Sequence, residues 1–108
     1  ILQIENIEAV NRIDEILTVP GIDLIFIGPN DLSASMGLLG QTTHPRVEEA
    51  IQKVLAATKK AKVPAGILGF SPDDANRRIA QGFQFIAVAS DAGLLSSGAK
   101  DILRQIKK

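Results

Sequence analysis

The spacing of apolar residues changes several times along the chain, and each change marks an element. ILQIE at 1–5 is short and alternating, which is the period of a strand. Asn6 follows as a good helix N-cap. Ile7, Val10, Ile13, Ile16 and Leu17 then recur on one face of a helix. Val19-Pro20-Gly21 ends it, because proline cannot continue a helix and glycine tolerates the turn. DLIFI at 23–27 is a second strand, apolar on both faces as in a parallel sheet covered by helices. GPNDLSASMGLLGQTT at 28–43 is a long connection with room for one short helix.

HPRVEEAIQKVLAATKKA at 44–61 is an amphipathic helix. Pro45 suits its first position, Glu48 and Glu49 its first turn, and Lys59, Lys60 and Lys62 its end. PAGILGF at 64–70 holds a third strand. SPDDANRRIAQG at 71–82 is a helix between a serine cap with Asp74 three residues on and a terminal glycine. FQFIAVA at 83–89 is the fourth strand, and 90–108 reads as a loop and a final helix ending in lysines. Ser96, Ser97 and Gly98 are expected to break that helix.

The order βαβαβαβα, with no hairpin signal, predicts parallel strands joined by crossover helices. Four such units form half of a (β/α)8 barrel, a fold of about 250 residues. The competing architecture is a flavodoxin-type open sheet. That fold normally has a fifth strand, and the chain has no glycine-rich dinucleotide or phosphate-loop pattern. The chain also begins inside a strand pattern, without methionine. Residues 1–108 are therefore expected to be a fragment, half of a barrel domain; the resemblance described below implies the C-terminal half, with the N-terminal half absent.

Composition narrows the function. With 12 basic and 12 acidic side chains the net charge is zero, which lacks the basic footprint of a nucleic-acid binder. The apolar runs are too short to span a membrane, and no signal-peptide pattern opens the chain. Cysteine is absent, so disulfides and thiolate metal sites are excluded. A cytoplasmic location is the expectation.

In either architecture a site lies at the C-terminal ends of the strands. Glu5 and Asp31 each stand just past a strand. If the two strands are neighbours, a spacing of about 4.8 Å brings both carboxylates within reach of one ion. Oxygen ligands suit a hard divalent cation such as Mg²⁺ or Mn²⁺. On spacing alone, the commoner reading makes Glu5 a solvated residue before a cap and Asp31 a cap of the next helix. Gly28 permits close approach to the backbone and Pro29 fixes the bend. The amides of Asn30 and Asp31 then open a helix and are placed to hold a carboxylate. A plain turn has the same sequence.

QIEN at 3–6, GIDLIFIGPNDLSASMG at 21–37, HPRVEEAI, AGILGF and GFQFIAVASDAGLL together resemble the C-terminal half of the metal-dependent class II pyruvate aldolases. These are the hydroxy-keto-acid and 2-dehydro-3-deoxy-sugar-acid aldolases of the phosphoenolpyruvate/pyruvate barrel superfamily. The first two segments are the specific ones, and the others mostly report the fold. The resemblance implies that Glu5 and Asp31 bind a divalent metal, Mg²⁺ or Mn²⁺ with Co²⁺ as a further option. It places Gln3 beside the substrate oxygens, the amides around Gly28, Asn30 and Asp31 on the pyruvate carboxylate, and Leu68 along the pocket. The implied reaction is aldol cleavage of a 4-hydroxy-2-keto acid to pyruvate and an aldehyde, with a metal-stabilised enolate. No Schiff-base lysine is needed, and no lysine falls in a predicted strand. Where many members carry a small apolar residue, this chain has Asn30, a harmless change if only the amide is used. The family's catalytic His and its pyruvate-binding Arg belong to the first half of the barrel and have no counterpart here. The family also implies a homo-oligomer.

The remaining polar residues read as structural. His44 precedes Pro45 at a helix entry. Asp73 and Asp74 complement a helix dipole. Asp91 reads as a cap, with contact to the site as the alternative. Arg77 and Arg78 are expected on a solvated face, and Met36 and the four Phe residues in the core. Two functions outside the aldolase reading remain open. One is a related carbon–carbon lyase or oxaloacetate decarboxylase. The other is a catalytically incomplete half-barrel serving as a structural or assembly fragment, its open sheet edges covered by a second copy or by the missing half.

Overall fold

The computed structural model describes residues 1–107. Four parallel strands, β1 (Leu2–Ile4), β2 (Ile25–Ile27), β3 (Ala65–Leu68) and β4 (Phe85–Ala87), pair in the order β1-β2-β3-β4. The register aligns Gln3 with Phe26, Phe26 with Gly66, and Gly66 with Phe85. A sequential order is that of consecutive units in a barrel wall. A flavodoxin-type sheet would seat β1 between β2 and β3. The helices are α1 (Ile7–Asn11), α2 (Ile13–Ile16), α3 (Pro29–Ser35), α4 (Pro45–Ala61), α5 (Pro72–Gln81) and α6 (Asp91–Gln105).

One sheet face packs on helices. Ile4, Ile25, Ile27, Ala65 and Ile67 are buried there with Val10, Ile13, Leu32, Val47, Ile51, Val54 and Leu55. Each valine, leucine and isoleucine among them contributes about 1.5–3 kcal/mol on burial. The other face carries Gln3, Phe26, Gly66, Phe85 and Leu68 and is open. Phe26 and Phe85 meet edge to face across Gly66, with centroids 5.8 Å apart. A Cβ on Gly66 would come within 2.9 Å of the Phe85 carbonyl oxygen, so only glycine lets the two rings close over β3.

The caps follow the sequence expectations. Asn6 Oδ1 accepts from Ala9 N–H at 2.8 Å. His44 Nδ1 accepts from Arg46 N–H at 3.2 Å, and Pro45 is the first residue of α4. Ser71 Oγ accepts from Asp74 N–H at 3.1 Å. Gly82 ends α5 with φ of 105°.

Several expectations are corrected. The single helix over 7–17 is two, separated at Arg12 (φ −103°, ψ 16°). Its apolar residues repeat at intervals of three, a tighter period than the α-helix. Arg12 N–H accordingly reaches both Glu8 O and Ala9 O. Ser96, Ser97 and Gly98 do not break α6, which runs unbroken to Gln105. Ser97 Oγ bonds back to Leu94 O at 3.2 Å, and Gly98 lies inside the helix. Lys108, the last residue of the expected helix, lies outside the described residues. Of the phenylalanines only Phe83 is core; Phe26 and Met36 are half-buried, and Phe70 and Phe85 are exposed.

Arg78 is the largest correction. It is 2% exposed, not solvated. Its Nη1 donates to Glu48 Oε1 at 2.8 Å and to Gln81 Oε1 at 3.1 Å. Its Nε lies 3.5 Å from Asp74 Oδ1, an ionic contact beyond good hydrogen-bond geometry. Arg77, half-exposed, bonds Asp74 Oδ1 at 2.6 Å. Asp74 Oδ2 also accepts from Phe70 N–H, so it fixes the loop after β3 as well as the helix start. Burial raises the Glu48 carboxyl, but hydrogen bonds from Arg78 and Gln52 and the two arginine charges outweigh it and hold it below its ordinary value. Asp74 is lowered too: burial opposes, and Arg77, the Phe70 amide and Arg78 prevail.

Candidate metal and carboxylate site

Glu5 and Gly28 each stand one position beyond the paired register of β1 and β2, which makes them neighbours at the C-terminal edge. Gly28 N–H donates to Ile4 O at 3.1 Å and extends the ladder to this point. The expectation that Gly28 offers an amide to a ligand is therefore corrected, since that amide is already bonded. What Gly28 supplies is proximity. A Cβ there would lie 2.9 Å from Gln3 Nε2 and 3.3 Å from Glu5 Cβ and Oε2. Its φ of −101° is open to any residue, so close approach, not backbone freedom, explains the glycine.

Gln3 Nε2 donates to Glu5 Oε2 at 2.7 Å, which fixes the carboxylate and points the two side chains to the same side of the sheet. Pro29 is buried at the first position of α3. The first α3 turn closes with Leu32 N–H on Gly28 O, which leaves the amides of Asn30 and Asp31 without a backbone acceptor. Asp31 is exposed in that same turn, one residue after Asn30. It does not cap α3, whose cap position is Gly28. Leu68 ends β3 one position past Ile67, facing away from the helices like Glu5.

Among the described residues neither Glu5 nor Asp31 is paired with an arginine or lysine. No group of three or more His, Cys, Asp and Glu is placed to hold a metal among the described residues. Two carboxylates with the remaining positions left to water and substrate are a donor set that fits a hard, oxygen-preferring cation. The site is an open edge. A groove of about 250 Å³ lined by Ile7, Val10, Met36 and Lys53 lies instead between the first helices and α4, and it carries none of these residues.

His44 is a cap and belongs to α4. Asp91 is the first residue of α6, bonding Ala92 N–H at 2.7 Å, while the cap is Ser90. No described lysine lies in a strand. Sequence reasoning passed over Ser35, at the end of α3, whose Oγ accepts from Ile7 N–H at the start of α1 at 3.0 Å. Its position four residues after Asp31, one helical turn on, was the available signal. Among the described residues no helix is long and apolar enough to cross a membrane.

Residues 1–98 match the family model described as HpcH/HpaI aldolase/citrate lyase. The 5-keto-4-deoxy-D-glucarate aldolase of Klebsiella pneumoniae is 39% identical over 108 residues, covering 100% of this chain and 42% of that protein. The 2-dehydro-3,6-dideoxy-6-sulfogluconate aldolase of Pseudomonas putida is 38% identical, covering 99% of this chain and 42% of that protein. A crystal structure of an HpcH/HpaI aldolase/citrate lyase family protein from Burkholderia cenocepacia superposes with a TM-score of 0.93 at 36% identity, covering 98% of this chain and 41% of the other. The chain thus spans about two fifths of the length of the curated relatives it matches. Four consecutive βα units, a sequential parallel sheet and a match over nearly every residue lead to one conclusion: the chain belongs to the HpcH/HpaI aldolase/citrate lyase family.

Proposed function

We propose that the chain is the C-terminal half of a barrel that cleaves 4-hydroxy-2-keto acids to pyruvate and an aldehyde, and that it carries the metal and carboxylate part of the site. The observation that carries this is the Gln3, Glu5 and Gly28 contact at the open strand edge, with two free amides and Asp31 in the next turn. Glu5 and Asp31 would hold Mg²⁺ or Mn²⁺. When bound, the cation supplies Lewis acidity to the keto and carboxylate oxygens of the substrate, where negative charge develops as the carbon–carbon bond breaks. Gln3 orients Glu5 through its amide N–H. The Asn30 and Asp31 amides receive the pyruvate carboxylate at the start of α3, and Gly28 leaves room for it. Leu68 covers the apolar side of pyruvate.

Among the described residues, the carboxylates at the strand edge, Glu5 and Asp31, are given to the metal in this reading, and His44 is committed to capping α4. The acid–base residue and the arginine for the developing charge would come from the other four βα units. The names of the curated relatives support the aldol class of reaction, and the oxygen-only donor set supports metal over lysine chemistry. The test is pyruvate release from a 4-hydroxy-2-keto acid with Mn²⁺, by the chain alone and with the barrel completed. Release that requires completion and disappears with Glu5→Gln supports the reading. A completed barrel that binds no Mn²⁺ and releases no pyruvate overturns it.

A further inference from the structure

We infer that Ser35 is a positioning residue that sets the spacing of the two carboxylates, an inference that rests on the site reading above. Glu5 sits in the loop between β1 and α1 and Asp31 in the first turn of α3, and neither segment alone fixes the distance between them. Ser35, the last residue of α3, joins that helix to the start of α1. Its Oγ accepts the Ile7 N–H at 3.0 Å and donates to Leu32 O at 2.7 Å. Ile7 is two residues past Glu5, and Leu32 follows Asp31 directly. The hydroxyl therefore ties the backbone beside one carboxylate to the backbone beside the other.

The rest of the geometry makes this tie specific. Ile7 N–H is one of the donors that a helix N-terminus leaves without an internal partner. Asn6 Oδ1 takes the Ala9 N–H and Asn6 O takes the Val10 N–H, so those two amides at the start of α1 are answered by Asn6 and the Ile7 amide by Ser35. Below the carboxylates, Gly28 N–H to Ile4 O is the last ladder bond between the two strands. Ser35 supplies the matching tie on the helix side. The Glu5 loop is thus held from both sides, with Gln3 fixing the side chain and Ser35 the backbone. Alanine would remove the acceptor and leave Ile7 N–H to water, because the contact is exposed. The fold keeps its core, and the loop gains freedom that metal binding must then remove.

The test uses Mn²⁺ as probe, titrated into the full chain and into Ser35→Ala, Ser35→Thr and Asp31→Ala. Ser35→Ala is expected to bind Mn²⁺ about fivefold more weakly. It should also speed hydrogen exchange at the Ile7 amide, with an unchanged far-ultraviolet spectrum. Ser35→Thr, which keeps the hydroxyl, is expected to restore both. Mn²⁺ affinity unchanged in Ser35→Ala but lost in Asp31→Ala would overturn the positioning role and leave the site intact. Affinity unchanged in Asp31→Ala would overturn the site reading itself. Faster Ile7 exchange without any change in Mn²⁺ affinity would reduce Ser35 to a structural tie and also overturn the proposal.

Discussion

The chain has two sets of carboxylates, and they are treated in opposite ways. Glu48 and Asp74 are surrounded by Arg77 and Arg78, with Gln52 and a backbone amide adding donors. Glu5 and Asp31 lie at the open strand edge, and the one side-chain donor to either is a neutral glutamine amide. A set flanked by arginines has its charge answered inside the protein, even though Glu48 Oε2 accepts no hydrogen bond, and it contributes to stability. On the proposed reading, Glu5 and Asp31, with no arginine or lysine partner among the described residues, are the ones that take a cation from outside. Charge count does not separate the two sets; the positions of the arginines do.

The sharpest way to break this contrast is at Asp31. Asp31→Ala should weaken Mn²⁺ binding by more than about 100-fold while leaving helix content unchanged. Calorimetric titration and circular dichroism on the same sample check both halves, and an unaltered affinity would erase the difference between the sets. Next in size is Arg78→Ala, which strips the buried partner from Glu48. It should cost about 3 kcal/mol in denaturant unfolding and leave Mn²⁺ affinity unaltered. Loss of metal binding there would mean that the two clusters are coupled.

Gly28→Ala acts between these limits. The new Cβ would expel the Gln3 amide, the mobile end of a side chain, and press on Glu5 Cβ. About tenfold weaker Mn²⁺ binding is expected, with stability changed by less than about 1 kcal/mol. The smallest effect is that of acid. Glu48 and Asp74 titrate below their unfolded values, so the stability they add is complete at neutral pH and is lost as pH falls through the folded values. Below about pH 4, the wild-type melting temperature should converge on that of Glu48→Gln. Parallel curves down to acid unfolding would show that the cluster contributes nothing through its charge.

The same contrast explains what could be read from the sequence. Helix entries carry their chemistry locally, so Asn6, His44-Pro45 and Ser71 were legible from a few residues each. Parallel strands followed from the alternation of strands and helices, whereas the neighbouring of β1 and β2 entered only as a condition and the approach of Glu5 to Gly28 emerges from the register. Arg78 was not legible. Its partner Glu48 is 30 residues away on another helix, and an arginine next to an arginine in a polar stretch reads as surface. Ser35 was missed for the same reason, its partner Ile7 lying 28 residues back. The expected break at Ser96–Gly98 failed because propensity is a weak guide where a serine hydroxyl can bond back to the helix.

The last helix extends the lesson from charge to cooperativity. α6 has 15 residues and no buried residue among them, and Leu94, Leu95, Ile102 and Leu103 are all exposed. An isolated helix of this length is marginal in water. Its melting is therefore not coupled to that of the sheet and its covering helices. In a calorimeter the isolated chain should show a main transition whose enthalpy falls short of its length by about 10 kcal/mol, the share of α6 at roughly 0.7 kcal/mol per residue. Amides in α6 should exchange through local fraying, while those of β2 and β3 exchange only when the whole sheet opens.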